Sequence, residues 1–279
     1  MDKKIDFQPY QLEITDYDHQ GRGIGRVEGK VCFAYDVFEG EIIEVTKHKA
    51  YKKYNYVERF RLIKSDEGRV EPLCGVFGRC GGCTLQHMLP EVQRKQKLAL
   101  VTTQLQHEGL EVEAVKFEES QPYGYRRKAR LSVRYNKRHE KIWFGFRHIH
   151  LPKVIVDIEK CPILVDVLSN GLALIKSTIN SLSIPDAIPQ VEVMECQGKA
   201  IANIRHLKSL TDNDISLLKD MAEKLGWFIF LQPKGEGSTY LLKGPENKTT
   251  FALQQKGYQV QVGVHDFMQI NERVNEKLV

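Results

Sequence analysis

The stretch 11-QLEITDYDHQGRGIGRVEGKVCFAYDV-37 alternates apolar and polar residues and is interrupted by closely spaced glycines. A period of two residues is typical of half-buried β-strands, and such glycines mark the turns between them. The same alternation returns in EIIEVTKHKA, residues 41–50. Five or so short strands between residues 11 and 64 predict a small β-barrel, such as the five-stranded oligonucleotide-binding type.

The segment GRGIGR, residues 21–26, superficially matches the glycine pattern of dinucleotide-binding proteins. No helix follows it and no βαβ unit surrounds it, so that interpretation is excluded. A glycine-rich loop that carries Arg22 and Arg26 suits close approach to a phosphate backbone. A bulged hairpin is the structural alternative, and this segment alone does not separate the two.

Beyond residue 64 the pattern changes to a mixture of helices and strands. Helical spacing of apolar residues predicts helices over 87–109 and 165–182, and Thr211 is placed to open a third. Strand-like segments occur mostly in consecutive pairs between these helices. This order predicts an α+β domain with a mostly antiparallel sheet.

The composition is that of a folded protein, with 42% hydrophobic and 28% charged residues among 279. The apolar runs are far shorter than the ~20 residues that a membrane span requires. The first ten residues, MDKKIDFQPY, lack the apolar core of a secretory signal. These features predict a cytoplasmic protein with no membrane partner.

The positive charge is concentrated in two stretches. Residues 47–64 contain seven Lys or Arg and one acid, and residues 121–153 contain ten and one. The net charge of the whole chain is only +5, so the rest is acidic. Such segregation favours a polyanionic partner, above all a nucleic acid, over the alternative of two solvated basic faces.

The second basic stretch includes GYRRKARLSVRY, residues 124–135, which has the period of a strand. Four cations would then share one face: Arg126, Lys128, Arg130 and Arg134. The other face would hold Arg127, Ala129, Leu131 and Val133. Aromatic residues follow nearby, and aromatics beside cations are typical of single-stranded RNA binding, although Trp143 or Phe144 is expected to pack in the core.

Three cysteines lie within ten residues in the segment Cys74-GVFGR-Cys80-GG-Cys83. A cluster this tight in a reducing compartment indicates a metal site, and Cys161, followed by a proline, is the best fourth ligand. The three-plus-one spacing favours an iron–sulfur cluster, whereas zinc sites with four cysteines usually contain two pairs. Zinc stays open on spacing alone. The remaining cysteines, Cys32 and Cys196, are predicted to be small buried hydrophobes.

Taken in order, these motifs resemble the RNA uracil-C5 methyltransferases, and in particular the iron–sulfur branch that acts on 23S ribosomal RNA. The resemblance rests on GRGIGR, CGVFGRCGGCTLQHM, GYRRKARLSVRY with GFRHIH, DIEKCPIL and DFMQINERVN, the last at residues 266–275. It implies a TRAM-like barrel at 1–64, a central domain with the cluster and a basic RNA-binding sheet at 65–262, and the start of a methyltransferase domain at 263–279.

The resemblance also implies cofactors and residue roles. Cys74, Cys80, Cys83 and Cys161 would hold a structural [4Fe-4S] cluster, Gln269 would contact S-adenosyl-L-methionine, and Phe267 would lie near the target uracil. In that family a cysteine thiolate adds to C6 of a uracil that has left its stack, and C5 then accepts the methyl group.

Neither the nucleophilic cysteine nor the general base of the family has a match in the sequence, so no catalytic residue is assigned. The Rossmann-like SAM-binding domain is expected to lie beyond Val279, and the chain alone is expected to be inactive. We therefore expect a monomer that binds 23S rRNA and not DNA. The alternative is a stand-alone RNA-binding protein with a structural metal site.

Overall fold

A computed structural model describes residues 8–112, 115–255 and 257–279. The chain divides into two compact units. Of the described residues, one unit contains 8–78, 83–112 and 115–117, and the other contains 79–82, 118–255 and 257–279. No helix within the described ranges is long and apolar enough to cross a membrane.

The first unit is built on a six-stranded sheet. Its strands are β1 (Tyr10–Glu13), β2 (Asp16–Tyr17), β3 (Gly23–Val27), β4 (Lys30–Ala34), β5 (Ile42–Ala50) and β6 (Tyr54–Lys64). Their order in the sheet is β1-β5-β6-β4-β3-β2. Only Ile14 and Thr15 separate β1 from β2, yet these two strands lie at opposite ends of the sheet. The sheet therefore curls round and closes on itself, as expected for a small barrel, while its TRAM identity stays a prediction.

The period-two pattern explains the barrel core. Eight buried side chains form a single cluster: Leu12, Ile14, Cys32, Ala34, Val37, Ile43, Val45 and Val57. They alternate with outward residues along their strands, so one face of each strand is removed from water. The prediction that Cys32 is a small buried hydrophobe is confirmed.

Of the two interpretations of GRGIGR, the hairpin is the nearer one, because Gly23–Val27 form strand β3, which pairs antiparallel with β2 and β4. A Cβ atom added at Gly25 would lie 2.3 Å from the Glu13 carbonyl oxygen, and one at Gly23 would lie 2.7 Å from a Val37 methyl carbon. Close backbone approach of this kind admits only glycine. These two glycines let β1 cross β3 where the barrel closes.

The predicted helix after the cysteine segment is α1 (Pro90–His107). It begins with a proline in its first turn, and Gly109, with φ of 75°, follows its end in the left-handed conformation. None of its residues is fully buried.

The second unit contains a seven-stranded sheet. Its strands are β7 (Lys128–Asn136), β8 (Lys141–Arg147), β9 (Ile155–Asp157), β10 (Gln190–Cys196), β11 (Lys199–Arg205), β12 (Phe228–Gln232) and β13 (Tyr240–Lys243). The order is β13-β12-β11-β10-β7-β8-β9, and every neighbouring pair is antiparallel except β11 with β12. The prediction of a mostly antiparallel sheet is confirmed.

Three helices and a hairpin complete this unit. They are α2 (Asp166–Asn180), α3 (Asp212–Leu225), the hairpin of β14 (Phe251–Gln255) with β15 (Tyr258–Val262), and α4 (Glu272–Leu278). Thr211 caps α3, as predicted, through a capping box with Asp214. Cys196 is buried beside Phe251 and Met268 in the core under the hairpin, which confirms its prediction as a hydrophobe.

Candidate RNA-binding surface and cofactor residues

Cys74 and Cys83 lie in irregular segments that glycines allow to turn tightly. A turn at Cys74 is closed by a hydrogen bond from the Phe77 N–H to the Cys74 carbonyl (2.9 Å), and Gly78 follows with φ of 75°. Thr84, the residue after Cys83, packs against Gly21. A Cβ atom added at Gly21 would lie 2.6 Å from the Thr84 hydroxyl oxygen. Both cysteines are half-buried.

Cys80 and Cys161 are both held by backbone contacts within the second unit. Cys80 is buried and forms a bridge with His148, and the Gly81 N–H donates to the Arg147 carbonyl (2.9 Å). The Cys161 N–H donates to the Ser169 hydroxyl (3.0 Å) in the first turn of α2.

The donor set suits an iron–sulfur cluster by its chemistry, since four thiolates are the usual ligands. Within the described residues, however, no three or more His, Cys, Asp or Glu side chains are grouped as metal ligands are. The ligand assignment therefore stays a prediction.

The basic strand alternates as the sequence indicated. Ala129, Leu131 and Val133 of β7 are buried, whereas Arg130 and Arg134 are exposed on the opposite face. Phe144 on the neighbouring β8 is also buried, as expected. Lys128, Arg130 and Arg134 thus lie on one side of β7 as predicted, whereas Arg126 lies just before the strand.

These cations already have partners inside the protein. Arg126 donates to the Lys128 carbonyl (3.0 Å) and Arg134 donates to the Lys153 carbonyl (2.9 Å). Arg130 forms an ion pair with Glu192, which faces it from β10. The charge available to a phosphate from this row is therefore smaller than the sequence alone suggested.

Lys128 serves a different purpose from the other members of the row. Its Nζ donates to the carbonyl oxygens of Val264 (3.1 Å) and Asp266 (2.7 Å). Burial lowers the pKa of its ammonium group. Lys128 consequently fastens the segment that precedes Phe267.

Arg127 holds the segment that carries Gln269, a structural role that the sequence reasoning did not single out. It lies on the inward side and is only 2% exposed. Its guanidinium donates to the Gln269 carbonyl (3.2 Å) and pairs with the Glu272 carboxylate, and its N–H donates to the Ile270 carbonyl (3.0 Å). An arginine in phase with buried Ala129 and Leu131 was the available signal, because a buried cation needs specific partners.

The segment that carries Phe267 and Gln269 is therefore held from several sides. Asn271 caps α4 and accepts a hydrogen bond at its side-chain oxygen from the Ser120 hydroxyl (3.3 Å). Met268 is 3% exposed in the core under the hairpin, whereas Phe267 is 82% exposed. Gln269 is also exposed. A fixed backbone thus presents these two side chains to solvent, where a ligand could meet them.

The two barrel arginines differ from each other. Arg22 pairs with Asp18, with 2.6 Å between Nε and Oδ2, and its guanidinium carbon lies 4.4 Å from the centre of the Phe33 ring. Arg26 is exposed and makes a 3.4 Å hydrogen bond to the Gly29 carbonyl. Arg22 is mainly a structural cation, and Arg26 is the more accessible of the two.

The first unit also contains a polar group centred on the half-buried Arg69. Arg69 donates to both carboxylate oxygens of the fully buried Glu41 (2.6 and 2.8 Å) and to the Asp36 carbonyl (2.7 Å). The His87 ring is also fully buried, and burial, with the nearby Arg69 cation, lowers its pKa to about 3.

Comparison with known sequences places this chain near one group of enzymes. It is 32% identical over 277 residues to the 23S rRNA (uracil(1939)-C(5))-methyltransferase RlmD of Francisella tularensis subsp. novicida, covering 97% of this chain and 62% of the relative. The same-named enzymes of Alkalilimnicola ehrlichii and Legionella pneumophila are 30% and 29% identical, covering 99% of this chain and 63% of each relative. The chain thus spans a little under two thirds of the length of these relatives. No protein-family model matches it.

Among solved structures, the tRNA (uracil-54, C5)-methyltransferase of Pyrococcus abyssi, determined with S-adenosyl-L-homocysteine, has a similar fold. The TM-score is 0.67 at 20% identity, covering 96% of this chain and 63% of the other. The chain therefore has the fold of the matching part of an RNA uracil-C5 methyltransferase, and in sequence it is similar along nearly its whole length to bacterial 23S rRNA uracil-C5 methyltransferases.

Proposed function

We propose that this protein acts in the methylation of uracil C5 in 23S ribosomal RNA, and that the residues described here bind the RNA. The proposal rests on one observation above all. Similarity to the RlmD relatives extends over 97% to 99% of the chain, so it includes the barrel, the cysteine segment and the Phe267 segment alike.

The proposed roles follow from where the side chains lie. Phe267 offers a ring that can pack on an unstacked uracil, because it is exposed on a backbone held by Lys128 and Arg127. The exposed amide of Gln269 offers both a donor and an acceptor to the cofactor. S-adenosyl-L-methionine would supply the electrophilic methyl group when bound.

We also propose that Cys74, Cys80, Cys83 and Cys161 hold a [4Fe-4S] cluster with a structural role. With four cysteine ligands the cluster has no open iron for a substrate, and its binding would add to the stability of the folded chain. Zinc is the alternative occupant of the same ligands.

The cluster is tested by replacing Cys80 with Ala. The variant, purified without oxygen, should lose the brown colour and its iron and should melt at a lower temperature than the parent. Cys32→Ala is the matched control, because Cys32 is also buried but lies in the barrel core. Retention of iron by Cys80→Ala, together with loss of iron by Cys32→Ala, would show that the ligand assignment is wrong.

The function is tested in cells by deleting the gene. The 23S rRNA of the deletion strain should lose 5-methyluridine, as measured by mass spectrometry of its nucleosides, and the gene supplied on a plasmid should restore it. An unchanged 5-methyluridine content, with RNA binding by the purified chain intact, would instead favour the stand-alone RNA-binding protein.

A further inference from the structure

The outer side of the barrel carries a group of five aromatic rings. Strand β4 pairs with β6 so that Phe33 lies opposite Tyr56. The neighbours Cys32 and Ala34 are buried in the barrel core. Because successive side chains of a strand alternate, the rings point outward. The group, called the aromatic face below, consists of Phe33, Tyr35, Tyr51, Tyr54 and Tyr56.

The rings form two contacting sets, which lie side by side because Phe33 is opposite Tyr56. Tyr51 and Tyr54 are stacked, with 4.6 Å between ring centres, and Phe33 meets Tyr54 edge-on at 5.6 Å. Tyr35 meets Tyr56 edge-on at 6.2 Å. Tyr51 is 39% exposed and the other four rings are half-buried. A layer of this kind presents ring faces and edges to solvent over two strands.

Cations flank this layer on both sides. On β5, Lys49 lies opposite Tyr56, and its Nζ is 5.2 Å from the centre of the Tyr51 ring. On β3, Arg26 lies opposite Val31 of β4 and is exposed. Arg22 lies over Phe33, although Asp18 neutralises its charge. The aromatic face is therefore bordered by positive charge at each edge.

We propose that the aromatic face binds an unpaired segment of RNA, with bases stacked on its rings and phosphates beside Lys49 and Arg26. This inference rests on the proposed function and names the part of the RNA that the barrel would take. Rings alone would suit any apolar ligand, and cations alone would suit any polyanion. An unpaired nucleic acid strand has the chemistry that uses both, because its bases are free to stack while its backbone stays charged.

A duplex is the wrong shape for this surface. Its bases are stacked on one another and offer no free faces to the rings, so only its phosphates could interact. The aromatic face should therefore discriminate between single-stranded and paired segments of the same sequence.

The test measures binding of a fluorescein-labelled single-stranded RNA of about 12 nucleotides, within the usual site size of such barrels. The same sequence closed into a hairpin duplex is measured in parallel. Tyr51→Leu and Tyr54→Leu should each weaken binding of the single strand about tenfold, because each removes one stacking platform. The slope of log K against log salt should not change, since no charge is lost. Hairpin binding should stay within about twofold of the parent.

Conservative and control variants separate stacking from folding. Tyr54→Phe keeps the ring and should bind like the parent. Tyr258→Leu removes a ring that is 75% exposed in the second unit and should also have no effect. Tyr51→Leu alters the most exposed ring of the aromatic face, so its thermal melting should match the parent even if Tyr54→Leu is destabilised.

The outcomes distinguish this inference from the function on which it rests. If Tyr51→Leu and Tyr54→Leu fold and bind the single strand like the parent, the aromatic face is not the site, while RNA binding by the protein stands. If the parent binds the hairpin more tightly than the single strand, the inference is overturned in the same way. If the parent binds neither RNA, the proposed function fails with it.

Discussion

The outer side of β7 and the aromatic face of the barrel both carry cations, but they use them differently. On β7, Arg130 pairs with Glu192 and Lys128 holds the Val264 and Asp266 carbonyls. On the barrel, Lys49 and Arg26 border a layer of rings that remains partly exposed. The sequence favours β7, where basic residues are denser, whereas the structure offers the barrel the more complete set of groups for an unpaired strand.

The difference shows that density of charge along a chain does not locate a binding surface. A cation that satisfies a carbonyl or a carboxylate of its own protein must give up that contact, or share it, before it can bind a phosphate. The ability of each cation to bind a phosphate thus depends on neighbours that are distant in sequence.

The rings of the aromatic face are held in place only if the barrel closes. The variant Gly25→Ala tests this closure. The added Cβ would lie 2.3 Å from the Glu13 carbonyl oxygen, so the strands must separate, at a cost of about 3 kcal/mol or more. We expect loss of single-stranded RNA binding by the aromatic face and an earlier unfolding transition by circular dichroism. Binding through β7 should persist.

The fluorescence of the two tryptophans provides the internal control for this variant. Trp143 and Trp227 both lie in the second unit, so its transition should be unchanged in Gly25→Ala. Gly235→Ala, where an added Cβ meets nothing within 4 Å, should leave both transitions as in the parent. Equal stability of Gly25→Ala and the parent would contradict closure at this crossing.

Replacing the buried Arg127, just before β7, should lower the free energy of unfolding far more than replacing an exposed cation of β7. Arg127→Ala removes a buried guanidinium with two partners, the Gln269 carbonyl and the Glu272 carboxylate, and the loss of packing and hydrogen bonds should cost about 2–3 kcal/mol. Arg134→Ala, on the exposed face, should change the free energy of unfolding by less than about 0.5 kcal/mol. Urea unfolding followed by tryptophan fluorescence measures both, and equal losses would refute the assignment of Arg127 as a structural cation.

The free energy of unfolding of the first unit should depend on pH through the buried His87. Burial lowers the pKa of the His87 ring from its ordinary 6.5 to about 3 in the folded chain, so folding favours the neutral ring. The contribution of His87 to the free energy of unfolding is fully present above about pH 6.5. It is lost as the pH falls toward 3, by about 1.4 kcal/mol per pH unit. Burial raises the pKa of Asp36, which opposes this trend at lower pH, so the window from pH 6.5 to about 5 is the informative one.

His87→Phe supplies the comparison for this measurement. The ring packs between Phe38 and Phe77, with 5.7 and 5.5 Å between ring centres, and a phenyl group occupies similar space. The variant should lose this part of the pH dependence. The same slope in parent and variant would place the titrating group elsewhere.

The smallest expected effect is on the salt dependence of RNA binding, which compares the cations beside the aromatic face with those of β7. Arg26→Gln with Lys49→Gln should reduce the slope of log K against log salt by about 1.4 for single-stranded RNA, or about 0.7 per phosphate contact. Arg130→Gln with Arg134→Gln should reduce it less, because internal partners already engage both side chains. A larger reduction from the β7 pair would reverse the comparison and make β7 the main phosphate-binding surface.

Much of the fold could be predicted because its causes are local. Strand periodicity in GYRRKARLSVRY predicted β7, and Thr211 was predicted to open α3 as its cap. The spacing of the cysteines also predicted four metal ligands, and that assignment stays a prediction. The sequence could not decide between a loop and a bulged hairpin for GRGIGR, because nothing near the segment in sequence shows that β1 crosses there.

By itself, the sequence determined the periodic elements, the turns and the buried state of Cys32 and Cys196, since each depends on residues within a few positions. Only the tertiary structure decided which cations are occupied, why Gly25 must lack a side chain, and that Arg127 holds the Gln269 segment. These depend on groups brought together across long separations, such as the 142 residues between Arg127 and Gln269. Local patterns carry no information about such partners, because the partner is chosen by how the strands and loops pack.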